Sequence, residues 1–231
     1  MSEGSDAHRE ARIAAAIEAV HPDRLPVIVE LSGMPKLGKT QFADALTGLL
    51  RRCTERVAEA PHARVEFAVR DRWRADFTAW ALAAFVKRFL ELKEWGCQVI
   101  VADRGLFDAM AWLRVKTELG KCDERTVSDL RGLAYSPLWW QHYAVVLVFL
   151  SSDEQVLHHA LARRLYHGES VVTTSPNLQR LRRALHAEAE LCNRQRDLIR
   201  VLDVGGIPLS EVLQQATEKV LLSLEEYADL R

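Results

Sequence analysis

Between Leu25 and Arg52 an aliphatic run, a glycine-bounded turn and a helix-forming stretch follow one another directly, and this succession constrains the fold more than any other part of the chain. Leu25-Pro26-Val27-Ile28-Val29-Glu30-Leu31 has the apolar continuity of a buried strand, while residues Gln41 to Arg52 carry apolar side chains at helical spacing. The turn between them, Gly33-Met34-Pro35-Lys36-Leu37-Gly38-Lys39-Thr40, meets every required position of the pattern G-x-x-x-x-G-K-[ST]. In this context the pattern reads as a phosphate-binding loop.

The chemistry of such a loop follows from its residues. Triphosphate oxygens need many donors at short range, and Gly33 and Gly38, lacking a Cβ, let backbone N–H groups turn inward at the start of a helix whose dipole favours negative charge. Lys39 is expected to reach the β- and γ-phosphates, and the Thr40 hydroxyl to face Mg2+. The expected nucleotide-binding set is therefore Gly33, Met34, Pro35, Lys36, Leu37, Gly38, Lys39, Thr40 and Gln41, with ATP and Mg2+ as cofactors.

A chain of 231 residues, 48% hydrophobic and 27% charged, suits one compact domain with a sizeable core. Its formal net charge of -1 gives no basic surplus, so no nucleic-acid partner is indicated. Cys53, Cys97, Cys122 and Cys192 form no C-x-x-C pair and point to reduced thiols rather than to zinc or a disulfide framework. With no apolar run of membrane-spanning length and no signal-peptide profile at Met1 to Glu10, the expected compartment is the cytoplasm, without membrane contact.

Along the chain, Arg9 to Val20 reads as a helix that stops before His21-Pro22, so residues 1–24 are expected to be a helical extension ahead of a domain at 25–231. Further strands are expected at Val65 to Val69, Gln98 to Ala102, Ala144 to Leu150 and Leu198 to Leu202, and a long helix at Trp73 to Trp95. Near-continuous aliphatic strands alternating with helices predict an α/β fold in three layers, a five-stranded parallel sheet covered on both faces, with ligands outside the carboxyl ends of the strands.

Asp103 closes the third of these strands, where a carboxylate can reach the water shell of a cation held by Thr40; the competing reading is a strand-end aspartate that caps the next helix. Arg104 follows it. With the loop, the Asp103-Arg104 pair and the segment Leu147 to Glu154, the chain resembles the P-loop nucleoside and nucleotide kinases, small-molecule phosphotransferases that carry an Asp-Arg or Glu-Arg pair at the end of this strand. The resemblance implies that Arg104 contacts the phosphate acceptor, a role suited to a permanently charged, fork-shaped guanidinium. It also implies an arginine-bearing lid around residues 160–180, with Arg163 and Arg164 closing over the transferring phosphoryl group, and an adenine-side turn at Asp203 to Pro208. Members of this family usually carry a third glycine where this chain has Lys36, which implies either a changed loop backbone or one more phosphate contact.

The acceptor depends on Arg70-Asp71-Arg72-Trp73. A hydroxyl acceptor benefits from a carboxylate that takes its proton, the role expected of Asp71, whereas a monophosphate acceptor favours Arg70 and Arg72. Trp73, Phe77 and Trp80 share one helix face and serve either the core or base stacking. Glu30 and Glu66 are alternative bases, structurally paired carboxylates or solvent-facing ones, and Arg180, Arg182 and Arg183 read as surface charges. The expected activity is ATP- and Mg-dependent phosphoryl transfer to a nucleoside or nucleotide, with an antibiotic or metabolite hydroxyl kinase and a P-loop ATPase or regulatory module as the alternatives. No Asn-Lys-x-Asp segment supports a regulatory GTPase. Expected partners are the small-molecule acceptor and, in a homodimer, a second copy of the chain.

Overall fold

The computed structural model describes residues 3–60, 73–152, 154–156, 174–194 and 196–230. Its main elements are α1 (Glu3–Ala19), β1 (Val27–Gly33), α2 (Lys39–Cys53), β2 (Val57–Ala60), α3 (Ala75–Glu94), β3 (Val99–Asp103), α4 (Leu106–Glu118), α5 (Glu124–Ala134), α6 (Pro137–Trp140), β4 (Tyr143–Leu150), α7 (Ser175–Asn193), β5 (Ile199–Asp203) and α8 (Leu209–Ala228).

The strands form a single five-stranded sheet in the order β2-β3-β1-β4-β5, with every pairing parallel. β1 and β4 are buried along their whole lengths, which is why both are predominantly apolar, interrupted in β1 by Glu30 and Ser32. Side chains alternate between the two faces of a strand, and the core divides accordingly. Ile28, Ile100, Ala102, Val146 and Val148 face a cluster built with α3, α4 and α7. Val27, Val29, Leu31, Val99, Val145, Leu147 and Phe149 face the other cluster, built with α1, α2 and α8.

That alternation puts Glu30 and Ser32 on the same face as Ile28, beneath α4, and both are fully buried. Burying each of the surrounding aliphatic side chains contributes roughly 1.5–3 kcal/mol, so this face tolerates a few desolvated polar groups provided that they are hydrogen-bonded. Glu30 and Ser32 are, as described below.

One strand was not expected. β3 pairs on its outer side with Val57–Ala60; the expected strand at Val65 to Val69 lies outside the described residues. Val57-Ala58-Glu59-Ala60 is short and has a single β-branched residue, so it hardly stands out as a strand; an edge position with one neighbour requires little more. Residues 106–140 form α4, α5 and α6, whose apolar pattern is too mixed to delimit them in the sequence. Asp123 caps α5 by accepting from the Thr126 N–H at 2.8 Å, and Ser136 caps α6 ahead of Pro137.

α1 is longer than its charge pattern indicates, and it packs on α2 and α8. Ile13, Ala16, Ile17 and Val20 are buried there, and Arg12 grips Glu225 through two hydrogen bonds of 2.9 Å. All four cysteines are free thiols, and among the described residues no helix is long and apolar enough to cross a membrane.

Candidate active site

The loop from Gly33 to Thr40 leaves the end of β1 and enters α2. Gly33 takes φ +118, and a Cβ added there would sit 2.1 Å from the carbonyl oxygen of Phe149 on β4. No other residue type fits without parting the two strands. Gly38, at φ +80, is the N-cap of α2 and supplies no side-chain acceptor, so the first-turn amides of that helix are directed to whatever sits in the loop. Lys36 has φ 66, the left-handed region that a glycine enters more easily. The loop therefore keeps a glycine-type backbone at this position while presenting an amine.

Lys39 is buried, and its Nζ donates to the carbonyl oxygens of Gly33 at 3.2 Å and Met34 at 2.5 Å. Burial, helped by the nearby positive charge of Arg104, lowers its pKa to about 7, against the pull of Asp108 and Asp103. An anion seated in the loop would restore the ammonium form, because an opposite charge favours protonation. Thr40 Oγ1 donates to Asp103 Oδ2 at 2.6 Å, bringing together the hydroxyl and carboxylate separately expected at the metal. The parallel pairing of β1 and β3, which sets Asp103 beside Leu31, puts this carboxylate level with the start of the loop.

Mg2+ is usually held by one or two protein oxygens together with phosphate oxygens and water rather than by a complete protein cage. The Thr40 and Asp103 pair fits that demand, and among the described residues no group of three or more His, Cys, Asp or Glu offers a closed metal site.

Arg104 also has a left-handed backbone, φ 69, held by its N–H donating to Leu31 O at 2.9 Å. Its Nη1 lies 3.3 Å from Asp108 Oδ2, while Asp108 Oδ1 accepts from Ser32 Oγ at 2.9 Å. Glu30 lies under the same turn. Its carboxylate accepts from the N–H groups of Asp108 at 2.9 Å and Phe107 at 3.3 Å and from the Tyr143 hydroxyl at 3.0 Å. Burial is the main reason that its carboxyl is pushed up to about 7, with the neighbouring Asp108 adding to the rise and the backbone donors opposing it. Glu30 thus fastens the start of α4 to β1, and Gly105 leaves room for it, since a Cβ there would lie 2.5 Å from Glu30 Oε2.

The structure brings Gly33 to Thr40, Asp103 and Arg104 together at the carboxyl ends of β1 and β3. Asp71, Arg163 and Arg164 lie outside the described residues, as do Arg70, Arg72 and Glu66. Trp73, Phe77 and Trp80 are half-buried; Trp73 packs edge-on against Trp112 with centroids 6.3 Å apart, and Phe77 lies under the Lys116 ammonium at 5.0 Å. In the Asp203 turn, the Gly205 N–H donates to Asp203 Oδ1 at 3.0 Å.

Arg182 is not the surface charge expected of it. It is half-buried, and its Nη2 donates to Ser151 O at the end of β4 and lies 3.8 Å from Met34 Sδ in the loop. Arg180 and Arg183 do pair with Glu118 at the surface. The distinction was available in the periodicity: Leu178, Leu181, Arg182 and Leu185 follow the i, i+3, i+4, i+7 spacing of one helix face, from which positions 180 and 183 are absent.

The solved structures to which the chain is similar share this architecture. Deoxyadenosine kinase from M. mycoides with products dCMP and a flexible dCDP bound superposes with a TM-score of 0.61 at 12% identity, over 84% of this chain and 98% of that one. The same enzyme with bound dCTP gives 0.59 at 11% identity with equal coverage. The chain has the fold of a P-loop kinase. Thymidylate kinase from Ehrlichia chaffeensis, at TM-score 0.54, 11% identity and again 84% and 98% coverage, agrees with that fold. At these identities the likeness concerns architecture, and no protein-family model or curated protein matches the sequence.

Proposed function

We propose that the chain is an ATP- and Mg-dependent phosphotransferase acting on a small molecule, with a nucleoside or nucleotide as acceptor. The observation that carries the reading is the Thr40 to Asp103 hydrogen bond of 2.6 Å at the mouth of a complete phosphate loop, with Arg104 next to it in the chain. A loop alone accounts for nucleotide binding. A carboxylate beside the Thr40 hydroxyl and a guanidinium on the acceptor side are the additional groups that transfer needs.

The loop amides of Gly33 to Thr40 hold the donor phosphates, and Lys39 offsets their charge. Thr40 and Asp103 would hold Mg2+, which when bound neutralises charge on the phosphate oxygens. Arg104 grips an oxygen of the acceptor. Asp71 takes the proton of a hydroxyl acceptor, and Arg163 and Arg164 belong to a lid over the site that excludes water. Residues 25–231 make up the catalytic domain, and residues 1–24 support it from outside through the packing of α1 on α2.

The test is acceptor dependence. ADP release from ATP and Mg2+ should be slow alone and rise when one member of a panel of nucleosides and nucleoside monophosphates is added; Lys39→Ala should abolish that rise while leaving the circular-dichroism spectrum intact. Hydrolysis that no acceptor accelerates, or wild-type turnover in Lys39→Ala, would sink the proposal.

A further inference from the structure

We propose that Asp108 is a positioning residue for Arg104, and that Ser32 ties this device to the donor loop. The role given to Arg104 rests on the phosphotransferase reading above; the arrangement of the three side chains does not.

An arginine side chain has several free torsions, and a guanidinium that must meet an acceptor oxygen from one direction needs those torsions restrained. The restraint is visible around Arg104. Its backbone is fixed in the left-handed region by the hydrogen bond to Leu31 O, and its side chain is 19% exposed. Asp108, four residues on and 5% exposed, meets it through Oδ2 at 3.3 Å. The other carboxylate oxygen of Asp108 is itself held, by Ser32 Oγ at 2.9 Å, and its main-chain N–H is held by Glu30 Oε1 at 2.9 Å. Asp108 is therefore restrained in both main chain and side chain before it meets Arg104.

The contact engages one end of the guanidinium among the described residues, through Nη1. A guanidinium has five donors in a planar fork, so a carboxylate at one end leaves donors for an oxygen of an incoming ligand. The same contact sets which edge of the fork is presented.

Ser32 gives the device its reach. It immediately precedes Gly33, pairs with Val148 on β4, and is fully buried. The chain Ser32, Asp108, Arg104 thus runs from the strand that launches the donor loop to the acceptor-side arginine, entirely through hydrogen bonds of the fold.

Asp108→Asn keeps the size of the side chain and an acceptor for Ser32 but removes the charge facing Arg104. Ser32→Ala keeps the charge and removes the anchor. In uniformly 15N-labelled full-length protein the Arg104 Nε–H resonance, assigned by its loss in Arg104→Lys, should show the heteronuclear NOE of a rigid group in the wild type and of a mobile one in Asp108→Asn, with Ser32→Ala between them. With ATP as donor and deoxyadenosine or thymidine monophosphate as the acceptor probe, kcat/KM for the acceptor should fall about 10- to 100-fold in Asp108→Asn, the range for a hydrogen bond to a charged group, while affinity for a non-hydrolysable ATP analogue stays within about threefold. An Arg104 resonance as rigid in both variants as in the wild type would overturn the proposal. If neither probe is phosphorylated by the wild type, the relaxation measurement still decides it, so failure of the phosphotransferase reading and failure of this one are separable.

Discussion

Glu30 offers a quantitative test of how the carboxyl-end turn is held. Its carboxyl is pushed from an ordinary value of 4.5 up to about 7, chiefly by burial. Between those two values the folded chain holds a proton that the unfolded chain has released, so folding is favoured at low pH. The stabilisation is complete below about 4.5 and is lost as the pH rises through 7. Integrating the proton difference from pH 5 to pH 8 gives a loss of about 2–3 kcal/mol from this group alone. Lys39, lowered from 10.5 to about 7, acts in the opposite direction: the unfolded chain holds the extra proton between 7 and 10.5, and stability rises with pH in that window. Glu30→Gln removes the first titration and retains the second. Urea unfolding of both proteins at intervals from pH 5 to pH 8 should therefore give a difference, wild type minus variant, that falls by about 2–3 kcal/mol, or roughly 5–10 °C in Tm for a domain of this size. Parallel stability profiles for the two proteins would refute the reasoning, because they would mean that Glu30 ionises alike in both states.

Gly33→Ala should destabilise the fold by about 3–5 kcal/mol, the sum of an unfavourable φ, crowding of a Cβ against β4 and a weakened bond from Met34 N–H to Phe149 O; an unchanged urea midpoint would contradict the close approach of the strands. Asp71→Asn should lower kcat toward a hydroxyl acceptor by about 10²- to 10⁴-fold with ATP-analogue affinity unchanged; an unaffected kcat would remove Asp71 from the role of base.

The central strands and the loop were legible because their causes are local. β1, β3 and β4 are buried on both faces and so are predominantly apolar, and the loop needs particular residues at particular spacings. β2 was not legible: as an edge strand it is held by its backbone ladder to β3, and its side chains scarcely advertise it. Asp103 and Arg104 were readable from their position after a clear strand. Ser32 and Asp108 were not, since a buried serine in an apolar strand and an aspartate within a helix acquire meaning only when the β1 register and the α4 start bring them within 2.9 Å. Arg182 lies between these cases. Its place in an apolar stripe was visible, but the proximity of α7 to Met34 is a tertiary fact.

The strand order has a consequence for how the molecule is made. β1 is the first strand in the chain, yet its neighbours are β3 and β4, so Gly33 cannot meet Phe149 until the intervening sequence exists. At a synthesis rate of about 5–20 residues per second, the phosphate loop waits on the order of 10 s for its β4 neighbour. Its other neighbour, β3, emerges during that interval, so until β4 follows one edge of Val27 to Leu31 stays open to association with other chains. The residues that define the site most clearly in the sequence thus wait for contacts made much later in the chain, and the yield of native protein should depend on what shelters them in the meantime.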